Sequence, residues 1–179
     1  MNRKLTIVGV VGVVLVAALV VVAQQDKSKR PSPPAQATWD LGGGKVVTID
    51  YSSPRAKGRK VYGELVPFGQ VWRTGANEAT TLTAPVDLNI GGRTVPAGKY
   101  TVFTIPDKDK WTLIISKKTG EWGTDYPGQS NDLARVDMKV SAVPAPVENF
   151  TISFEKSGAG ANLYIDWETT RASVPVSKK

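Results

Sequence analysis

From Trp39 onward, apolar and polar side chains alternate with a period of two, and clusters of glycine, proline and aspartate break the alternation at short intervals. Successive side chains of an extended chain point to opposite faces, so this pattern predicts half-buried strands joined by tight turns. Val47, Ile49 and Tyr51 alternate with Thr48 and Asp50; Val61, Gly63 and Leu65 alternate with Tyr62 and Glu64. Val86, Leu88 and Ile90 precede Gly91 and Gly92, which reach positive φ without a Cβ clash, and a two-residue hairpin with a returning strand is predicted there. Residues 99–105 and 111–117 form the clearest hairpin, turning through Pro106 and Asp107. Further strands are predicted over 134–140, 149–155, 162–168 and 171–176. Roughly nine or ten short strands describe an all-β domain, a sandwich or a barrel, because a flat open sheet leaves one apolar face wet. The two-layer β-sandwich, jelly-roll or immunoglobulin-like, is the favoured form.

The N-terminus has a different pattern. Arg3 and Lys4 precede 19 uncharged, mostly apolar residues from Leu5 to Ala23. As a helix this run is about 28 Å long, close to the hydrocarbon thickness of a bilayer. It is apolar on every side, which argues against a helix packed on a core. Two alternatives remain, an uncleaved transmembrane anchor and a signal peptide ending near Val22 and Ala23, and the length favours the anchor. Either carries the rest of the chain out of the cytoplasm, so the expected location is the cell envelope: membrane-anchored outside the cytoplasm, or periplasmic or secreted after cleavage. The membrane is then a partner through residues 5–23. Residues 24–38 are polar and proline-rich and read as a flexible linker, which leaves 39–179 as the domain.

Composition narrows the chemistry. The 179-residue chain has no cysteine and no histidine. Disulfides, thiolate nucleophiles, cysteine or histidine zinc sites and imidazole-relayed triads are excluded, and no cofactor or metal is expected. The net charge of +7 suggests nucleic acid until its distribution is considered. Arg3, Lys4, Lys27, Lys29 and Arg30 precede the domain against the single acid Asp26, and the domain itself is nearly balanced. No run of cations tracks a phosphate backbone, so nucleic acid is not an expected partner.

Three stretches carry candidate chemistry. The decapeptide from Val71 to Thr80 breaks the alternation and holds Trp72, Arg73, Asn77, Glu78 and Thr80 around Gly75. A guanidinium, an amide and a carboxylate together suit a polar ligand; the alternative is that Arg73 and Glu78 pair internally in a capping loop. Arg55, Lys57 and Arg59 on a loop attract anions, or are simply solvated turn charges. Trp122 in a glycine-rich loop stacks a sugar ring or, as favoured here, plugs the end of the sandwich. Without histidine, proton transfer near neutral pH falls to carboxylates raised by burial, with Glu64, Glu78 and Glu121 available.

The residues also carry a resemblance. Tyr51 to Arg55, Lys57 to Arg59, Gly63 to Gly69 and above all the decapeptide ending at Thr80 resemble the bacterial envelope family known as domain of unknown function 2911. Pro96 to Tyr100, Phe103 to Pro106, Trp111, Gly120 to Gly123 and Asp132 to Val136 occur in the family's order, so the resemblance covers about 40–176. Phe68 and Ser53 depart from the tyrosine and arginine common there, and the missing arginine weakens the anion reading slightly. The resemblance implies export and one β-rich domain, assigns no reaction, and marks Arg55, Arg59, Trp72, Arg73, Asn77, Glu78, Thr80 and Trp122 as belonging to the family signature; these eight are the expected ligand-binding residues.

The reading is an extracytoplasmic, membrane-anchored domain that binds a small polar or anionic ligand, a glycan among the options, with enzymatic activity left open and disfavoured. The alternatives are a glycan hydrolase acting through Glu78 or Glu64, and a structural or partner-binding envelope module.

Overall fold

The computed structural model describes residues 26–122 and 125–179. The protein is all-β there, with two single-turn 3-10 helices, Lys27–Lys29 and Gln129–Asn131. Among the described residues no helix is long and apolar enough to cross a membrane. The apolar run over 5–23, with its expected anchor or signal helix, lies outside them.

The strands are β1 (Pro34–Asp40), β2 (Val46–Ser52), β3 (Thr80–Ala84), β4 (Leu88–Ile90), β5 (Arg93–Val95), β6 (Gly98–Ile105), β7 (Lys110–Ser116), β8 (Asp132–Ser157) and β9 (Gly160–Lys178). They make one antiparallel nine-stranded sheet in the order β1-β2-β3-β6-β7-β8-β9-β4-β5. The sheet curls, so that β1 and β5 both lie against β8. Trp39 of β1 stacks on Phe154 of β8 with ring centroids 6.1 Å apart.

The curl has a local cause in β8. Its first part pairs with β7 as far as Lys139, and its last part forms a hairpin with β9 from Thr151 to Ser157. Between them the register slips twice, at Ala142/Val147 and at Val147/Thr151. Pro144 and Pro146 sit in this stretch, and proline has no N–H to give a ladder, so the chain bends there. The separate strands predicted over 134–140 and 149–155 are the two arms of β8; those over 162–168 and 171–176 are likewise one strand, β9.

The core is continuous and aromatic at one end. Tyr62, Trp72, Trp111, Phe150 and Trp167 pack edge to face or stacked, with centroids 4.8 Å apart for Tyr62 and Trp111 and 6.0 Å for the parallel pair Trp72 and Trp167. Aliphatic side chains fill the other end, where Val47, Leu82, Leu88, Val102, Leu113 and Leu163 converge. The central strands are covered on their outer face too. Phe103 and Ile114 are fully buried outside the main core, and Tyr126 meets Phe103 edge to face at 5.3 Å. The Tyr126 hydroxyl donates to Asp132, which pairs with Arg135 at 2.7 Å.

Several expectations are corrected. β1 begins at Pro34, inside the stretch read as linker, because the inward positions Ala35 and Ala37 need little apolar bulk once the backbone pairs with β2. β3 is an addition to the predicted strands; its only large apolar residue is Leu82. Residues 61–65 are not a strand. Tyr62, predicted to face outward, is buried, while Gly63 and Leu65 are exposed, because Gly63 at φ +90° turns the chain back so that its N–H donates to Val66. The Gly91-Gly92 hairpin is as predicted, with both glycines at positive φ between β4 and β5.

Candidate functional site

The decapeptide is forced out of the sheet by its two ends. Trp72 exchanges backbone hydrogen bonds with Thr104 of β6, at 2.7 and 2.9 Å, and Thr80 is registered opposite Val102, two residues away on the same strand. An extended chain needs one residue between those points. The chain has Arg73 to Ala79 there, so the excess loops outward, and Thr74, Gly75 and Asn77 all take positive φ. Side chains lock the loop. The Thr74 hydroxyl meets that of Thr104 at 3.1 Å, the Thr80 hydroxyl donates to the Thr74 carbonyl at 2.7 Å, and Ala76 N–H donates to the Ser52 carbonyl. At Gly75 a Cβ would lie 2.9 Å from that same carbonyl oxygen, so only glycine fits.

One flank of this loop walls a cavity of about 340 Å³. Its floor holds Trp72 and Trp167; Leu65, Pro67 and Val71 from the preceding loop give an apolar side; Arg59 and Arg73 give the charge. No acidic residue lines it among the described residues. Arg73 is half-buried and makes no hydrogen bond or ion pair among the described residues, and its Nε is buried without a partner. Burial lowers the pKa of the Arg73 guanidinium from its usual value, since removing water penalises the charged form. A half-buried cation without a counter-charge has lost part of its hydration, which an anion beside it would offset.

The other flank is already occupied. Lys27 Nζ donates to Glu78 at 2.9 Å, and Arg30 Nη1 donates to both Glu78 oxygens at 3.0 Å. Asn77 Nδ2 donates to the Ser32 carbonyl at 2.9 Å, and Ser53 N–H donates to the Pro33 carbonyl. Residues 27–33 thus form a strap across the decapeptide. The hydrogen bond from Lys27 is the main cause that brings the Glu78 carboxyl down to about 2. Ionised throughout the neutral range, Glu78 does not serve as a general acid there. Glu64 is exposed and faces Lys60 at 3.4 Å, and Glu121 accepts from Thr101 at 2.8 Å.

The structure therefore divides the anticipated signature. Arg59, Trp72 and Arg73 meet at the cavity. Arg55 lines an adjoining shallow hollow, with one guanidinium nitrogen bonded to Ser53. Asn77 and Glu78 face the strap, and Thr80 is buried inside the loop. Arg73 and Glu78 do not pair with each other. Trp122 is 58% exposed and plugs nothing; it bridges by backbone to Glu78 at the sheet margin. Sequence reasoning missed Lys27, Arg30 and Ser32, which looked like linker, and Trp167, which looked like ordinary alternation in a strand.

No curated protein and no solved structure matches the chain. The family described as Protein of unknown function (DUF2911) matches residues 32–176, starting at Ser32 in the strap and ending in β9. This range covers most of the chain, and the protein belongs to that family.

Proposed function

We propose that the protein is an extracytoplasmic binding domain, held at the membrane by residues 5–23, whose cavity takes a small anion-bearing ligand against Arg73 and Arg59. In this reading the curled sheet is a two-layer sandwich, and the decapeptide forms one wall of its ligand site. The observation that carries it is Arg73: a half-buried guanidinium, unpartnered among the described residues, in a concavity with no acidic lining. Guanidinium matches carboxylate and phosphate in geometry as well as charge, and the apolar side of the cavity suits a ligand with a non-polar body or an acidic sugar.

The test is calorimetric titration of the full chain with inorganic phosphate and with acetate at low and high ionic strength. Binding is expected at low salt, weaker at high salt, and reduced at least about tenfold by Arg73→Gln. Equal binding by the wild type and Arg73→Gln, or no binding of either anion, overturns the reading. Export is tested separately: a reporter fused after Lys179 remains inside the cytoplasm if the leader reading is wrong.

A further inference from the structure

The cavity does not end at Arg59. A second, shallower hollow of about 380 Å³ shares Ser32, Pro54 and Arg59 with it and adds Arg55 and Lys57. No acidic residue among those described lines this hollow either. The two arginines keep donors in hand. Arg55 uses only Nη1, on Ser53, and Arg59 uses Nε and Nη2, on the carbonyls of Ala56 and Arg55. These bonds hold both guanidinium groups in place without neutralising them, and the Lys57 ammonium makes no ion pair among the described residues. Glu148, the carboxylate that approaches this loop, accepts from the Lys57 backbone N–H and so fixes the turn.

Two basic lobes therefore adjoin across Arg59, and the inner one is walled on one side by Leu65, Val71 and Trp72. Extending the reading of the cavity as an anion site, on which this inference rests, we propose that the ligand is a two-ended anion: one charged group seated on Arg73, an apolar span along that wall, and a second charged group on the Arg55 and Lys57 shelf. A single small anion fills one lobe and leaves the other's cations unmatched. A ligand with anions at both ends satisfies both, and its second contact forms at high effective concentration once the first is made.

The experiment titrates the full chain with linear dicarboxylates from succinate to decanedioate and with the monocarboxylate of the same chain length in each case, octanoate beside octanedioate for example. At one or more lengths the dicarboxylate binds at least about tenfold more tightly than its monocarboxylate. Arg55→Gln/Lys57→Gln removes that advantage, bringing the dicarboxylate affinity down to that of the matching monocarboxylate. Lys57→Gln alone, which spares the Arg55 bonds to Ser53, removes part of it. Melting temperatures of both variants are measured alongside. If mono- and dicarboxylates bind alike at every length while Arg73→Gln weakens both, the single-anion reading stands and the two-ended ligand is overturned. If the advantage survives both shelf variants, the second charge lands elsewhere and the proposal fails. If no carboxylate and no phosphate binds, the cavity reading itself falls.

Discussion

Arg30 and Glu78 stand 48 positions apart in the chain, and one guanidinium nitrogen of Arg30 donates to both oxygens of the Glu78 carboxylate at 3.0 Å. With Lys27 on the same carboxylate, this contact turns a stretch that looks like linker into part of the domain. Glu78→Gln removes the charge and keeps the shape. Hydrogen exchange over residues 27–33 is expected to accelerate in that variant, with a stability loss of about 1 kcal/mol or less because the pair is partly exposed. Arg30→Gln should act in the same direction, and the double variant should cost less than the two singles together. Unchanged exchange in both singles refutes the strap.

The same contact sets a pH dependence. The Glu78 carboxyl lies at about 2 in the folded protein, against an ordinary 4.5. A depressed carboxyl pKa stabilises the folded state fully above the unfolded value, and the contribution disappears as pH falls toward the folded one. The stability gap between the wild type and Glu78→Gln should therefore be constant above pH about 5 and close between about 4.5 and 2. Urea denaturation across that range measures it; a gap that does not narrow contradicts the assignment.

Gly91 is a point where the backbone and its neighbours agree. Its φ is +52°, and a Cβ built there falls inside the Val136 side chain, with Val174 close by. Gly91→Ala is expected to cost about 2–3 kcal/mol, from strain and overpacking together. Gly92→Ala, at φ +86° with open space around it, should cost only about 1 kcal/mol. Denaturation midpoints of the two variants test the order.

Arg171 grips Asp166 with two hydrogen bonds, at 2.8 and 2.6 Å, while its guanidinium lies 4.1 Å over the Tyr164 ring. Asp166 is buried, so Arg171→Met leaves its carboxylate without a counter-charge. A loss of about 2–3 kcal/mol is expected, most of it recovered in Asp166→Asn/Arg171→Met. Equal losses in the single and double variants rule out the unpaired carboxylate as the cause.

The sequence was most legible where alternation was strong. β2 and the β4–β5 hairpin fall where Val47, Ile49, Leu88 and Ile90 placed them, and the β6–β7 hairpin where the apolar stretches 99–105 and 111–117 flank the Pro106-Asp107 turn. β1 and β3 escaped notice because small side chains, Ala35 and Ala37 in β1 and Thr80 and Ala84 around the single Leu82 in β3, hold most of their inward positions, and pairing more than bulk keeps them in the sheet. Residues 61–65 misled because Gly63 breaks an apparently regular strand. At the site, Arg59, Trp72 and Arg73 were legible as residue types. The partners of Asn77 and Glu78 were not, since a contact from Ser32 or Arg30 leaves no trace in local spacing.

The place of β9 in the sheet also constrains biogenesis. β4 reaches the rest of the sheet through β9, Leu88 pairing with Lys178 and Ile90 with Val176. A chain emerging from its N-terminus presents the β4–β5 ribbon long before its docking strand exists, with Leu88, Ile90 and Val95 still uncovered. The tight glycine turn lets that ribbon form early, but assembly waits for the last-made strand. Truncation within β9 should therefore yield an aggregating chain instead of a smaller folded one.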